Sequence, residues 1–260
     1  MHTSNSAALF TQQYPRGSQA FIDLVNQSVF TAMLEDIGNG DLTALLIPET
    51  NTAQATIITR EDAIICGQDW VEACFHYVNK EITIKWLVNE GEKVAANQLL
   101  CKISGNARAI LTAERTALNF LQMLSAVATH TRKYVLAASG TKAEILDTRK
   151  TLPGLRLPQK YAVTVGGGSN QRLALYDGIL IKENHIAAAG SIAAALEQAA
   201  KLDKNTSIQI EVENCDELQQ ALTAGALNIL LDNFSIPELR EAVAINQGRA
   251  MLEEIGRAHV

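Results

Sequence analysis

The chain has 260 residues, of which 47% are hydrophobic and 19% charged, enough for one large domain or two modest ones with a sizeable core. A net charge of −6 and a pI near 5.4 exclude an extended basic surface for nucleic acid or anionic membrane, so any cationic site must be local. Cys66, Cys74, Cys101 and Cys215 are widely scattered, without the close pairs of a zinc site, and read as reduced, mostly buried thiols. The polar start, with Ser4, Asn5, Gln12 and Gln13, lacks the pattern of a signal peptide, and no apolar run is long enough to span a bilayer, which predicts a cytoplasmic protein.

Phe21, Leu24, Val25, Val29, Ala32 and Met33 recur at helical spacing, and Gly38-Asn39-Gly40-Asp41 ends that amphipathic helix in a turn. Short β-type runs follow at 55–58, 63–65, 82–84 and 99–103, interrupted by a helix at 70–78. An α+β sandwich domain over residues 1–113 fits this mixture. Glu90-Gly91-Glu92-Lys93-Val94 is similar to the small folds that carry biotin or lipoate, but no lysine sits at a suitable hairpin tip and a carrier role is set aside. From residue 114 the texture changes: Leu118, Leu121 and Leu124 line one face of a long helix, which opens a second domain over 114–260. Apolar strands at 143–146, 179–181, 208–212 and 229–231 then alternate with helices at 157–165, 191–202, 216–224 and 236–245, and a fifth strand starts at Ala250-Met251-Leu252. Strands apolar on both faces that alternate with helices predict a parallel sheet, an α/β architecture.

Four of these strands end in polar tips: Asp147-Thr148-Arg149-Lys150, Lys182-Glu183-Asn184-His185, Glu211-Val212-Glu213-Asn214 and Asp232-Asn233. Parallel α/β enzymes keep their sites at such ends. The stretch 145–185 holds six Lys/Arg (Arg149, Lys150, Arg156, Lys160, Arg172, Lys182) against three acids (Asp147, Asp177, Glu183), a local +3 that suits a small polyanion. Glu211 and Asp232 either hold sugar hydroxyls or Mg²⁺, or merely neutralise neighbouring cations. Gly166-Gly167-Gly168-Ser169-Asn170 is no dinucleotide fingerprint; it permits close backbone approach to a ligand or is a plain loop. His185 reads equally as a hydrogen-bonded structural histidine or as a catalyst.

These motifs together resemble the quinolinate phosphoribosyltransferase family. The resemblance rests on Asp147-Thr148-Arg149-Lys150-Thr151, Pro153-Gly154-Leu155-Arg156, Lys160-Tyr161-Ala162-Val163, the run from Gly166 to Asn170, and Leu180-Ile181-Lys182-Glu183-Asn184-His185-Ile186. Outside this core it is carried by Glu35-Asp36-Ile37-Gly38, Gly40-Asp41-Leu42-Thr43, Glu114-Arg115-Thr116-Ala117-Leu118-Asn119, Glu211-Val212-Glu213-Asn214 and Leu231-Asp232-Asn233-Phe234. It implies an α+β sandwich followed by an open α/β barrel, a homodimer, and transfer of phosphoribosyl from phosphoribosyl pyrophosphate to quinolinate. Carbon dioxide and pyrophosphate are released, and nicotinate mononucleotide is left for NAD synthesis. By resemblance Arg149, Arg172 and Lys182, with Thr148, hold the quinolinate carboxylates, and Lys150 binds the donor. Glu211 and Asp232 face its ribose and Mg²⁺, and Arg115 reaches into the neighbouring subunit's site. A nicotinate-type phosphoribosyltransferase and an inactive ligand-binding relative are the other readings.

Two departures follow. Gln171 stands where many relatives carry histidine, so it donates to a carboxylate without titrating, and quinolinate affinity is expected to depend less on pH here than in relatives whose imidazole titrates near about pH 6.5. After Met251-Leu252-Glu253 the resemblance calls for a phosphate loop, whereas Ile255-Gly256-Arg257-Ala258-His259-Val260 matches one reading frame of a common sequencing adapter. Either the terminus is artefactual or it is a genuine divergent tail; the expectation is the former, and with it a 260-residue chain that folds poorly and is inactive beside the parent gene product.

Overall fold

The computed structural model describes residues 9–202 and 206–256; the polar start at 1–8 and the Arg257-Ala258-His259-Val260 tail lie outside them. By its internal contacts the chain divides into two compact units, 1–173 and 174–260.

In the first unit, α1 (Leu9–Gln13) precedes α2 (Gln19–Ile37). Ser18 caps α2 by accepting from Phe21 N, and Gly38, at φ 50, closes it with its N–H on Leu34 O. The buried stripe Phe21, Leu24, Val25, Val29 and Met33 is the helical repeat visible in the sequence. A short 3-10 turn (Ala44–Leu46) follows, then β1 (Thr52–Ile58), β2 (Ala63–Ile64), α3 (Gln68–Val78), β3 (Thr83–Trp86), β4 (Lys93–Val94) and β5 (Leu99–Asn106). β1, β5 and β3 form an antiparallel sheet in that order, and β2 pairs with β4. The expected β-runs are all present, with β4 added. The long helix α4 (Ala107–Ala137) starts at the Asn106 cap and runs unbroken through residues 113 and 114. Its buried Ala109, Ala113, Ala117 and Ala128 let α3, the sheet and α5 (Arg156–Val165) approach closely. Phe10, Phe21, Trp70 and Tyr161 stack at the centre of this core, with ring centroids 5.2–6.1 Å apart.

One expected strand does not form. Residues 143–146 make only an isolated parallel bridge, Leu146 to Ser169, flanked by Ser169 N to Ile145 O and Asp147 N to Ser169 O. Ala143 and Glu144 are exposed, so the apolar run is too short to be held on both faces.

The second unit is a strand-helix repeat: β6 (Ile179–Ile181), α6 (Glu183–Ala189), α7 (Ile192–Leu202), β7 (Ile208–Val212), α8 (Cys215–Thr223), β8 (Asn228–Asp232), α9 (Ile236–Asn246) and β9 (Met251–Ile255). Its four strands are parallel, in the order β6-β7-β8-β9. Ile181, Ile210, Val212, Ile229 and Leu231 are buried against the helices with Ile192, Leu218 and Phe234. Side chains alternate along a strand, so the residues between them must face the other way. That register decides where the chemistry lies.

Among the described residues no helix is long and apolar enough to cross a membrane. Cys66, Cys74 and Cys101 are buried and Cys215 partly so, all as free thiols; burial pushes the Cys74 thiol up to about 12 and the Cys101 thiol to about 11.

Candidate active site

The alternation in β6, β7 and β8 places Lys182, Glu211 and Asp232 on one face. Ile181 is level with Ile210, so Lys182, one residue on, is level with Glu211. Glu211 is level with Leu230, and Asp232 lies two residues further along the same strand, hence on the same side. Lys182 Nζ donates to both carboxylate oxygens of Glu211, at 2.8 and 3.2 Å. The Asp232 carboxylate makes no side-chain hydrogen bond among the described residues and remains available to a ligand. Two further polar residues share this face and were not singled out in the sequence: Gln209, two before Glu211, donates to Glu253, which is level with Leu230. A period-2 count from Glu211 would have found Gln209, whereas Glu253 joins the face only through the register of β9 on β8.

No group of three or more potential metal-ligating side chains occurs among the described residues. Mg²⁺ characteristically takes one or two carboxylates and completes its shell with phosphate and water, so two carboxylates at the strand ends, Asp232 without a competing cation, fit such an ion.

In the first unit, the loop carrying Thr148, Arg149 and Lys150 and the segment carrying Gln171 and Arg172 are joined through Asp147. Its Oδ1 accepts from Lys160 Nζ and from Gln171 N, at 3.0 Å for the latter, and its Oδ2 accepts from Asn170 Nδ2 at 2.6 Å. Asn170 Nδ2 also donates to Lys160 O at 3.0 Å. Lys160 is 1% exposed and Asn170 0%. Burial pushes the Asp147 carboxyl up; the Lys160 charge and the hydrogen bonds from Lys160, Asn170 and Gln171 oppose it. Lys160 is therefore not one of the cations offered to a polyanion, because its ammonium is spent inside the fold.

Thr148 Oγ1 accepts from Lys150 N at 3.0 Å, and Lys150 is exposed. Among the described residues the Nε of Arg149 is buried without a hydrogen-bond partner, a charged donor suited to a ligand carboxylate. Gln171 turns its Oε1 onto Arg172 N at 2.7 Å, so the oxygen end of the amide is engaged by the backbone. Arg115 is exposed on α4. Arg156 Nε donates to Thr151 Oγ1 and Gln159 Oε1 accepts from Leu152 N, which shape the 151–156 turn. That turn lines a cavity of about 790 Å³ together with Glu35 and Asp36 of α2 and Thr116 and Asn119 of α4.

Two open questions from the sequence resolve structurally. His185 Nδ1 accepts from Lys182 N at 3.0 Å and so caps α6; its geometry is that of the structural histidine. In the glycine run, a Cβ on Gly166 would meet Ala128 O at 2.6 Å and Thr131 Cβ at 2.7 Å, and one on Gly168 would meet Thr131 Cγ2 at 2.9 Å. These glycines permit the close approach of α4 rather than of a ligand. Arg132 seals the junction by donating to Gly166 O at 2.8 Å.

Comparison with known proteins gives the same picture along the chain. Residues 41–125 match the quinolinate phosphoribosyl transferase N-terminal domain and residues 127–256 its C-terminal domain. The chain is 37% identical over 224 residues to a probable nicotinate-nucleotide pyrophosphorylase [carboxylating] of Bacillus subtilis, covering 86% of the chain and 78% of that protein. It is 38% identical over 246 residues to a mitochondrial quinolinate phosphoribosyltransferase [decarboxylating] of Nicotiana tabacum, covering 86% and 70%. The structure of the nicotinate-nucleotide pyrophosphorylase from Francisella tularensis superposes with a TM-score of 0.87 at 49% identity, over 90% of this chain and 84% of that one.

Proposed function

The chain belongs to the quinolinate phosphoribosyltransferase family, and from that premise we propose how its own residues divide the work. It has that family's fold, an α+β sandwich followed by an open α/β barrel of parallel strands. It is a pentosyltransferase of NAD biosynthesis that joins quinolinate to phosphoribosyl pyrophosphate and releases pyrophosphate and carbon dioxide.

Arg149, Arg172 and Lys182, with Thr148 and Gln171, hold the two quinolinate carboxylates. Lys150 binds the phosphoribosyl donor, and Glu211 and Asp232 take its ribose hydroxyls. The observation that carries this assignment is the shared face of Lys182, Glu211 and Asp232 at the C-terminal strand ends, with Lys182 already on Glu211. It presents cation and anion side by side, as a dianionic acceptor next to a sugar requires. Mg²⁺ would be held by Asp232 and Glu211, where it supplies positive charge to the departing pyrophosphate.

The reaction needs positioning more than covalent help. As the bond to pyrophosphate breaks, positive charge develops at the ribose carbon, and the pyridine nitrogen adds its lone pair there. Glu211 and Asp232 fix the ribose and favour that charge, while the arginines aim the ring nitrogen. Once quaternised, the cationic ring nitrogen stabilises the electron pair left on the adjacent carbon as its carboxylate departs as carbon dioxide, and a proton from water then takes up that pair to form the C–H bond. Arg115, exposed on α4, is assigned to the site of a second copy in a homodimer, working in the cytoplasm.

The test is to incubate the parent gene product with the donor, Mg²⁺ and either quinolinate or nicotinate. Nicotinate mononucleotide with stoichiometric carbon dioxide from quinolinate is expected. Product from nicotinate at a comparable rate would overturn the two-carboxylate assignment.

A further inference from the structure

Every acceptor contact of Asp147 except the one to Lys160 runs to the opposite arm of the quinolinate-holding set. Asp147 stands one residue before Thr148-Arg149-Lys150, and Asn170 one residue before Gln171-Arg172. Asp147 Oδ1 takes Gln171 N, Oδ2 takes Asn170 Nδ2, and the Asp147 N–H goes to Ser169 O at 3.1 Å. The Lys160 ammonium neutralises the carboxylate at the centre, and the Lys160 carbonyl takes the second bond from Asn170. The cluster is thus a weld between two chain segments, two residues before Arg149 on one and two residues before Arg172 on the other.

Stability does not explain it. A buried ion pair gains little over a well-packed apolar pair of the same volume, because desolvation offsets the attraction. What a buried, directional network does supply is a single geometry. Two guanidinium groups brought to one dianion repel each other, so their anchors must be fixed before the ligand arrives. A displacement of about 1 Å at such a clamp can cost a hundredfold.

We infer that Asp147, Lys160 and Asn170 form a positioning cluster for quinolinate: they touch no substrate, but set the spacing between the Arg149 and Arg172 arms. This deepens the assignment above and rests on it.

The experiment measures quinolinate and phosphoribosyl pyrophosphate binding by calorimetry, with urea unfolding, for the parent chain, Asp147→Asn/Lys160→Met, Arg149→Ala, and their combination. The double substitution removes both charges and keeps the volume. It is expected to unfold near the parent's urea midpoint and to bind the donor within about twofold, yet to weaken quinolinate about ten- to a hundredfold. Added to Arg149→Ala it should weaken quinolinate by less than about threefold more, since partners acting through one residue are not additive. A double variant that binds quinolinate like the parent, or whose loss adds in full to that of Arg149→Ala, overturns the inference. Should the double variant not fold, Asn170→Ala, which keeps the ion pair but cuts one link between the arms, is read by the same criteria. An Arg149→Ala chain that binds quinolinate like the parent would overturn the substrate assignment instead, and does so in its own arm.

Discussion

Replacing Glu211 with glutamine separates the two roles that the Lys182–Glu211 pair combines. The Lys182 ammonium lies 2.8 and 3.2 Å from the two carboxylate oxygens, and the side chains are 45% and 10% exposed. For a pair half open to water the attraction amounts to about 0.2–1 kcal/mol. Quinolinate must draw Lys182 away from Glu211 or share it, so Glu211→Gln removes a competitor and should tighten quinolinate by about 1.5- to 5-fold. The donor should respond in the opposite sense. A carboxylate bond to a ribose hydroxyl contributes about 1.5–3 kcal/mol, so donor affinity and turnover should fall by about 10- to 150-fold. Calorimetric titration with each substrate, together with initial rates, reads both effects on one protein. Lys182→Met is the control: it should weaken quinolinate while leaving the donor nearly unchanged. If quinolinate binding falls in Glu211→Gln, Glu211 is holding Lys182 in its working position, and the competition argument is refuted.

Four further outcomes are expected. Gly166→Ala should lower the free energy of unfolding by about 1–3 kcal/mol, since its methyl would press on the Ala128 carbonyl. Gly167→Ala, with φ 92 but no neighbour nearer than 3.7 Å, should cost about 1 kcal/mol and leave quinolinate affinity unchanged; lost affinity without lost stability would mean that the loop touches ligand after all. His185→Ala should cost about 1 kcal/mol by uncapping α6, visible in urea unfolding, with no change in the pH profile of turnover; a lost limb in that profile would make His185 a catalyst. Burial pushes the Glu90 carboxyl up, against hydrogen bonds from Gly67 N, Gln68 N and Tyr161 Oη. A raised carboxyl pKa favours the fold below the unfolded value of about 4.3, and that contribution is lost as pH rises through the folded value. Between about pH 4 and pH 7 the parent should therefore lose stability relative to Glu90→Gln in urea unfolding, and a parent that gains would contradict this.

Much of this protein was legible without coordinates because its signals are local. The stripe Phe21-Leu24-Val25-Val29-Met33 and the alternation of apolar runs with helices depend only on neighbours along the chain, and α2, α3, α5, α7, α8 and α9 fell within a few residues of their expected bounds, whereas the short helices α1 and α6 were not expected. The strand expected at 143–146 failed because an apolar run says nothing about whether a partner strand lies alongside it. The unbroken helix α4 could not be read at its start either, since Ala107 to Leu111 resembles strand and helix equally in composition.

The identities of Thr148, Arg149, Lys150, Arg172, Lys182, Glu211 and Asp232, and the local excess of positive charge around them, were determined by the sequence itself, because residue type and motif spacing are one-dimensional facts. How those charges are engaged inside the fold was decided by the tertiary structure alone. Lys160 and Arg149 look alike in a count of cations, yet one is buried on Asp147 and the other carries a buried donor with no partner among the described residues. His185 could equally have been catalyst or cap until its Nδ1 was found on Lys182 N. The physical reason is the same in each case: charge is written in the sequence, whereas its availability depends on burial and on partners tens of residues away, which exist only once the chain has folded.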